Sequence, residues 1–316
     1  MLSIPGGVGM GKKYYVIGSI NMDLSALVER FPVPGETVMG SAFFTSPGGK
    51  GGNQACALGR LNAPVHMVGK IGDDQFGREY SKHLHAEGID LSYIGTAQGI
   101  STGIAVIEVD QKGENRIVII PGANEYVDEA LVEKVTGDFN SDSIVLLQLE
   151  VPIPTVLYTL KAAKEKSALT ILDPAPAVRL PEEIYPYVDF ITPNSTEISV
   201  LTQMETDSDE RLRTAAHKLL SLGAGTVIVK QGADGATIFR EEFSRHVPGY
   251  TVDTVDTTAA GDSFNAGFAY GLGEGYEIPE AVRFAHAVAA LSTEKMGAQT
   301  AMPTIDKVLT LFQRGH

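Results

Sequence analysis

The sequence predicts an α/β protein: a three-layer α/β/α domain with a mostly parallel central sheet and a small antiparallel β-sheet lid. Two observations carry this. Apolar strand-like runs alternate with amphipathic helical stretches along most of the 316 residues. Two segments, 22–44 and 102–120, break the alternation with paired strand-like runs.

Taken in order, the runs at 14–20, 65–72, 143–148, 169–174, 187–193 and 226–232 read as strands. Several are almost continuously apolar, as strands covered on both faces must be. Helical patterns fill the intervals at 52–61, 76–88, 153–166 and 209–223, with Gly88 and Gly223 as stop signals. Three more close the chain at 261–273, 279–296 and 304–313. In 22–44 the two runs flank Pro32-Val33-Pro34-Gly35. In 102–120 the turn is Gln111-Lys112-Gly113-Glu114. Residues 1–13 read as a flexible leader, and 14–316 as a single domain that carries the lid.

Composition narrows the function. The net charge is −14, and no basic run exceeds Lys12-Lys13. Nucleic acids and anionic membranes are recognised mainly through Lys/Arg-rich surfaces, so neither is an expected partner. No apolar run reaches the roughly 18 residues of a membrane span. The one cysteine, Cys56, lies in an apolar stretch and reads as a packed core thiol. A single thiol suits a reducing, cytoplasmic setting.

Two apparent motifs lead nowhere. "GGVGMGK" at 6–12 resembles a phosphate loop, but it precedes the first strand and lacks the Ser or Thr. His83 and His85 are two apart and face different sides of a helix, so a structural zinc site is not expected.

Two other stretches carry chemistry. In "DTTAAGDSFNAGF" (256–268), small residues precede Asp262 where a helix begins. The first amides of a helix are unpaired and the dipole favours an anion there. Ala259, Ala260, Gly261 and the Asp262 amide therefore suit an anion hole; an ordinary helix cap is the plainer alternative. In "PGGKGGNQACALG" (47–59), four glycines let a ligand reach the main chain, while Lys50 and Asn53 supply donors. Asn21 and Asp23 lie just beyond the first strand, where α/β sheets bind ligands. They suit vicinal hydroxyls, or could simply form a turn.

With "GSINMDL", "FPVPGET", "GGKGGNQA", "QLE" (148–150), "DPAPA" (173–177), "TPNSTE" (192–197), "DTTAAGDSFNAGF" and "KMGAQTAMP" (295–303), the chain resembles the ribokinase-like (PfkB-type) carbohydrate kinases from about residue 14 to 313. The glycine-lysine and A-A-G-D motifs are the two signatures of that family, and their joint occurrence is far more specific than either alone. The resemblance implies a ribokinase-like fold and transfer of a phosphoryl group from ATP to the 5-hydroxyl of D-ribose. Same-fold rivals would act on deoxyribose, fructose, a ketodeoxy acid such as ketodeoxygluconate, or a nucleoside such as adenosine. A sugar or nucleotide sensor without catalysis is a more distant rival.

Carried over by motif, the resemblance implies that Asn21, Asp23, Gly49, Lys50, Asn53 and Glu150 hold the sugar. Asp262 is the general base, with Ala260 and Gly261 in the anion hole. Asn194 and Glu197 act near the phosphates and Mg²⁺. Lys230, Gly232 and Gly235 line the nucleotide site, and His286 lies near the adenine. A monovalent cation, usually K⁺, is implied at Asp256, Thr258, Ser292, Lys295, Gly297 and Ala301; the family often has a hydroxyl residue at this last position. The lid is implied to cover the sugar and to pair two subunits as a homodimer.

Overall fold

A computed structural model describes residues 12–241 and 243–315. In chain order the strands are β1 (Lys13–Ile17), β2 (Asn21–Val28), β3 (Gly40–Gly48), β4 (Val65–Gly72), β5 (Asp90–Ala97), β6 (Gly103–Val109), β7 (Asn115–Ile120), β8 (Ser143–Leu147), β9 (Leu169–Leu172), β10 (Phe190–Ile191), β11 (Thr226–Lys230), β12 (Ala236–Arg240) and β13 (Phe243–Val247). The α-helices are α1 (Lys50–Arg60), α2 (Gln75–Ala86), α3 (Glu129–Thr136), α4 (Ile153–Glu165), α5 (Ser195–Thr202), α6 (Asp209–Ser221), α7 (Ala260–Gly273), α8 (Ile278–Ser292) and α9 (Ile305–Arg314).

The large sheet has nine strands in the order β13-β12-β11-β10-β9-β8-β1-β4-β5. It is parallel from β11 to β5, and β12 and β13 add an antiparallel edge. Side chains alternate across a strand, so every second residue serves one layer. Tyr15, Val145, Leu147, Val227 and Val229 pack with residues of α3, α4, α5 and α6 on one face. Tyr14, Val16, Ile144, Leu146 and Ile228 pack with α1, α2, α7 and α8 on the other. This double burial explains the unbroken apolar run of β8, whose five residues are all buried. Cys56 is fully buried in the second layer, where burial pushes its thiol up to about 12. No helix among the described residues is long and apolar enough to cross a membrane.

The second sheet has four strands, in the order β3-β2-β6-β7. The β2/β3 and β6/β7 pairs are antiparallel, and β2 joins β6 in parallel through Asn21–Leu27 and Gly103–Val109.

Several elements differ from the sequence expectation. The strand expected over 187–193 shrinks to Phe190–Ile191, because Glu182–Tyr187 forms a 3-10 turn that includes Pro186. Helix α8 ends at Ser292 and not at 296; beyond it, Thr293 turns its carbonyl to the amides of Val255 and Asp256. The strands β5, β12 and β13 and the helices α3 and α5 carry no prior expectation. Of the expected leader, residues 1–11 lie outside the described residues. Lys12 pairs with Asp142 at 2.9 Å, and Lys13 already opens β1 opposite Ser143.

Candidate active site

The carboxyl ends of the parallel strands gather the polar residues along one edge of the sheet, as open α/β sheets commonly do. Ser19 and Asn21 follow β1, Gln148 and Glu150 follow β8, and Asp173 follows β9. Asn194 follows β10, and Lys230 ends β11. The first turns of α1 and α7 reach the same edge, since Asn53 and Gln54 of α1 both touch Asp262 of α7.

Helix α7 starts abruptly. Ala259 takes the left-handed conformation at φ 59°, and no side chain caps the helix. The Ala260 amide donates to the Thr257 carbonyl at 3.1 Å, and that of Ser263 to Ala259 at 2.9 Å. The two amides between them, of Gly261 and Asp262, have no acceptor among the described residues. The amide of Ala260, a residue expected in an anion hole, is thus spent on Thr257 and is not a free N–H. A Cβ built on Gly261 would meet only the Lys230 Nζ, at 3.5 Å, so the hole is open on that side and flanked by a cation. Lys230 itself bonds Asp173 at 2.9 Å.

Asp262 is 4% exposed. Asn53 Nδ2 donates to its Oδ2 at 2.9 Å, and Gln54 Nε2 lies 3.3 Å from its Oδ1. Burial pushes its carboxyl up to about 6; Lys50 opposes the rise, and Asp173 and Glu150 add to it. A carboxyl raised in this way exchanges its proton closer to neutral pH than an exposed one does.

The expected sugar ligands converge on the same edge. Asp23 lies on β2, and burial, with the charges of Glu150 and Asp262, pushes its carboxyl up to about 7. Asn21 is held by Asn124, whose Nδ2 donates to Asn21 Oδ1 at 2.7 Å, leaving Asn21's own NH₂ to donate. Glu150 Oε2 accepts from the Lys50 amide at 3.0 Å and from the Ser19 hydroxyl, so part of it is spent on capping α1. Burial alone would lower the Lys50 ammonium pKa, but Asp262, Asp173, Glu150 and Glu197 outweigh this and hold it above the ordinary value. Gly49 sits at φ +83°, and a Cβ there would meet the Asn21 amide nitrogen at 2.7 Å. Only glycine lets the loop pass this close to the Asn21 backbone.

Beside the start of α7 lies a cavity of about 470 Å³. Lys230, Gly232, Gly235, Gly261 and His286 all line it, five of the residues expected at a nucleotide. His286 also packs on Phe264, with ring centroids 5.1 Å apart. Asn194 and Glu197 stand outside this lining and form a capping box on α5: Asn194 Oδ1 accepts from the Glu197 amide at 2.8 Å, and Glu197 Oε2 from the Asn194 amide at 2.7 Å. Burial raises the Glu197 carboxyl pKa, against the pull of Lys230 and with the push of Asp173.

Of the residues expected around a monovalent cation, Asp256, Thr258 and Gly297 meet. Asp256 Oδ1 accepts from the Thr258 amide and hydroxyl at 2.9 and 2.6 Å. Its Oδ2 accepts from the Gly297 amide at 2.8 Å, which ties 256–258 to 292–301. Burial would raise its pKa, but these hydrogen bonds hold it below the usual carboxylate range. The Ser292 hydroxyl donates its proton to the Ala289 carbonyl at 2.7 Å, which leaves its oxygen lone pairs and its own carbonyl oxygen as acceptors.

Comparison with known proteins identifies the family. The model of the pfkB family carbohydrate kinases matches residues 12–305. The chain belongs to the pfkB family of carbohydrate kinases. This carbohydrate kinase is 38% identical over 304 residues to a ribokinase of Haemophilus influenzae, covering 96% of this chain and 99% of the relative. It is 35% identical over 293 residues to a deoxyribokinase of Salmonella typhi, covering 92% and 96%. Among solved structures it resembles an Arabidopsis thaliana ribokinase complexed with ribose and ATP, with a TM-score of 0.89 and 35% identity over 96% of this chain and 99% of that one.

Several polar residues that the structure gathers at this edge were not singled out from sequence: Ser19, Gln54, Tyr80, Asn124, Gln148, Asp173 and Gln299. Ser19, Gln54, Gln148, Asp173 and Gln299 lie inside the quoted motifs "GSINMDL", "GGKGGNQA", "QLE", "DPAPA" and "KMGAQTAMP", so the signal was present. Asn124 and Tyr80 carry no local pattern.

Proposed function

We propose that this kinase transfers the terminal phosphoryl group of ATP to the 5-hydroxyl of D-ribose, with Asp262 as the general base. One observation carries the reading: Asp262 sits on the first turn of α7 beside two amides without an acceptor, and faces the cluster of Asp23, Lys50, Asn53 and Glu150. The sugar is held by Asn21, Asp23, Gly49, Lys50, Asn53 and Glu150. Asp262 takes the proton of the acceptor hydroxyl as the bond to phosphorus forms. The amides of Gly261 and Asp262, with the helix dipole, stabilise charge on the equatorial oxygens. Lys230 adds a positive charge on the far side. The nucleotide occupies the cavity lined by Gly232, Gly235 and His286, which fits the size of a ligand pocket.

Two ions fit the residues present. Glu197 Oε2 is used in capping, which leaves Oε1 as the atom to face Mg²⁺ near the phosphates. Magnesium would neutralise charge on the transferring group. Asp256 joins two segments that offer backbone carbonyl and hydroxyl oxygens, and an all-oxygen set suits K⁺. Thr258, Ser292, Lys295, Gly297 and Ala301 would supply those carbonyls. Activity should rise when potassium replaces a bulky organic cation at equal ionic strength; a flat response removes the ion from this reading.

Deoxyribose is the second reading, favoured by the likeness to a deoxyribokinase. A coupled assay of nucleotide turnover separates the candidates. Ribose should give a kcat/KM above that of deoxyribose, fructose and adenosine. A higher value for any of these reassigns the substrate, and no turnover with any sugar would favour a sensor.

A further inference from the structure

A buried chain of hydrogen bonds runs into Asp262 from the side away from β8 and β9. Gln299 is 1% exposed and opens the short turn Gln299–Ala301. Its Nε2 donates to Asn53 Oδ1 at 3.0 Å and to the Tyr80 hydroxyl at 2.7 Å. Tyr80, buried in α2, donates to the Gly48 carbonyl at 2.6 Å. His83 Nε2 lies 2.8 Å from Gln299 Oε1. Asn53 Nδ2 completes the chain at Asp262.

One fixed end orders every donor. A backbone carbonyl only accepts, so the Tyr80 proton is committed to Gly48. The Tyr80 oxygen must then accept, which turns the NH₂ of Gln299 toward Tyr80 and Asn53. The Gln299 carbonyl consequently faces His83, which donates from Nε2–H. Asn53 accepts with its carbonyl and is left with its NH₂ toward Asp262. At the other end a carboxylate again only accepts. Reversing either amide would set two acceptors face to face in a buried site, a costly arrangement.

We propose that Gln299 is a positioning residue for phosphoryl transfer: anchored by Tyr80 and His83, it sets the amide of Asn53 so that Asn53 donates to Asp262 and aims its carboxylate. This rests on the reading of Asp262 as the base. Lys50, Asp173 and Glu150 set the charge around that carboxylate, whereas Asn53 and, at longer range, Gln54 set its direction. Gln299 and Asn53 are 246 positions apart, so the contact also fixes the C-terminal turn against α1.

The test compares Gln299→Met, close in size but without donors, and Tyr80→Phe, which keeps the ring and loses the anchor. Both are assayed in the full chain with ATP and ribose, beside Asp262→Asn. The expected result is a fall in kcat of about tenfold in both, since small misplacements of reacting groups are costly. The KM for ATP should stay within about twofold, and the acid limb of kcat/KM should move to higher pH as the carboxylate loses its donor. If Gln299→Met fails to fold, Tyr80→Phe carries the test alone. Unchanged kcat and acid limb overturn the proposal. So does a loss of kcat matched by an equal rise in the KM for ATP with the acid limb in place, which marks Gln299 as packing only. Wild-type kcat in Asp262→Asn removes the base reading itself, whatever the other two variants do.

Discussion

Asp23 and Asp262 are both more comfortable protonated than an exposed carboxyl, chiefly because they are buried and share a site with other acids. A carboxyl whose folded pKa is raised contributes stability below its unfolded pKa, and loses it as pH rises through the folded value. The ligand-free protein should therefore lose stability between about pH 4 and pH 7 from these two groups. Sugar hydroxyls favour the charged form of Asp23, so sugar binding should tighten as pH rises through about 7. Calorimetry at pH 6 and pH 8 checks this; tighter binding at pH 6 would contradict it. Asp23→Ala should weaken ribose by about 1.5–3 kcal/mol, the worth of hydrogen bonds to a charged group. The affinity for ATP should hardly change, and equal weakening of both ligands would remove Asp23 from the sugar site.

At the scale of elements, the proposed chemistry rests most on the start of α7. Ala259, just before it, is left-handed, the amides of Gly261 and Asp262 have no acceptor among the described residues, and its side chains from Ser263 to Ala269 are buried. Gly261→Ala tests the hole without disturbing the helix, because an added Cβ would meet nothing closer than Lys230 Nζ at 3.5 Å. Melting should stay within about 2 °C of the parent, as for a substitution that creates neither cavity nor clash. By contrast, kcat should fall about 10²-fold, because the added methyl would push a docked phosphate off the amides, at a cost on the scale of one stabilising donor. Unaltered kcat would mean that no phosphate docks there. Asp262, Lys50 and Asn53 were legible in the sequence because glycines and small residues cluster around them in short motifs. The parallel layers were legible from double-sided burial, as in β8. Asn124 and Tyr80 were not, because each acts through a partner far along the chain: Asn124 lies 103 positions from Asn21, and Tyr80 lies 219 from Gln299. The two-residue β10 was overestimated because an apolar run cannot reveal where Pro186 closes a 3-10 turn.

For the whole molecule, the small sheet raises the question of what covers it. Residues Asn115–Ile120 of β7 are exposed throughout, and successive side chains face opposite sides. Ile117 and Val118 are 51% and 62% exposed, and Phe43 on β3 is 66% exposed. A small sheet this bare is marginal alone, and an exposed apolar edge invites association. A second copy of the chain, joined lid to lid about a two-fold axis, would cover it. Light scattering at micromolar concentration should give a dimer, and Ile117→Glu should give a monomer with a raised KM for ribose. A parent protein that scatters as a monomer would rule out this pairing.

All of these effects converge on one carboxylate beside two open amides. The most direct test is the turnover of Asp262→Asn, which keeps the shape of the side chain and removes its capacity to accept a proton. The steady-state kcat with ribose and ATP should fall about 10² to 10⁴-fold, the usual contribution of a general base. Ribose binding, measured by calorimetry on the same preparation, should be largely kept. A kcat close to that of the parent enzyme would contradict the assignment of Asp262 as the base.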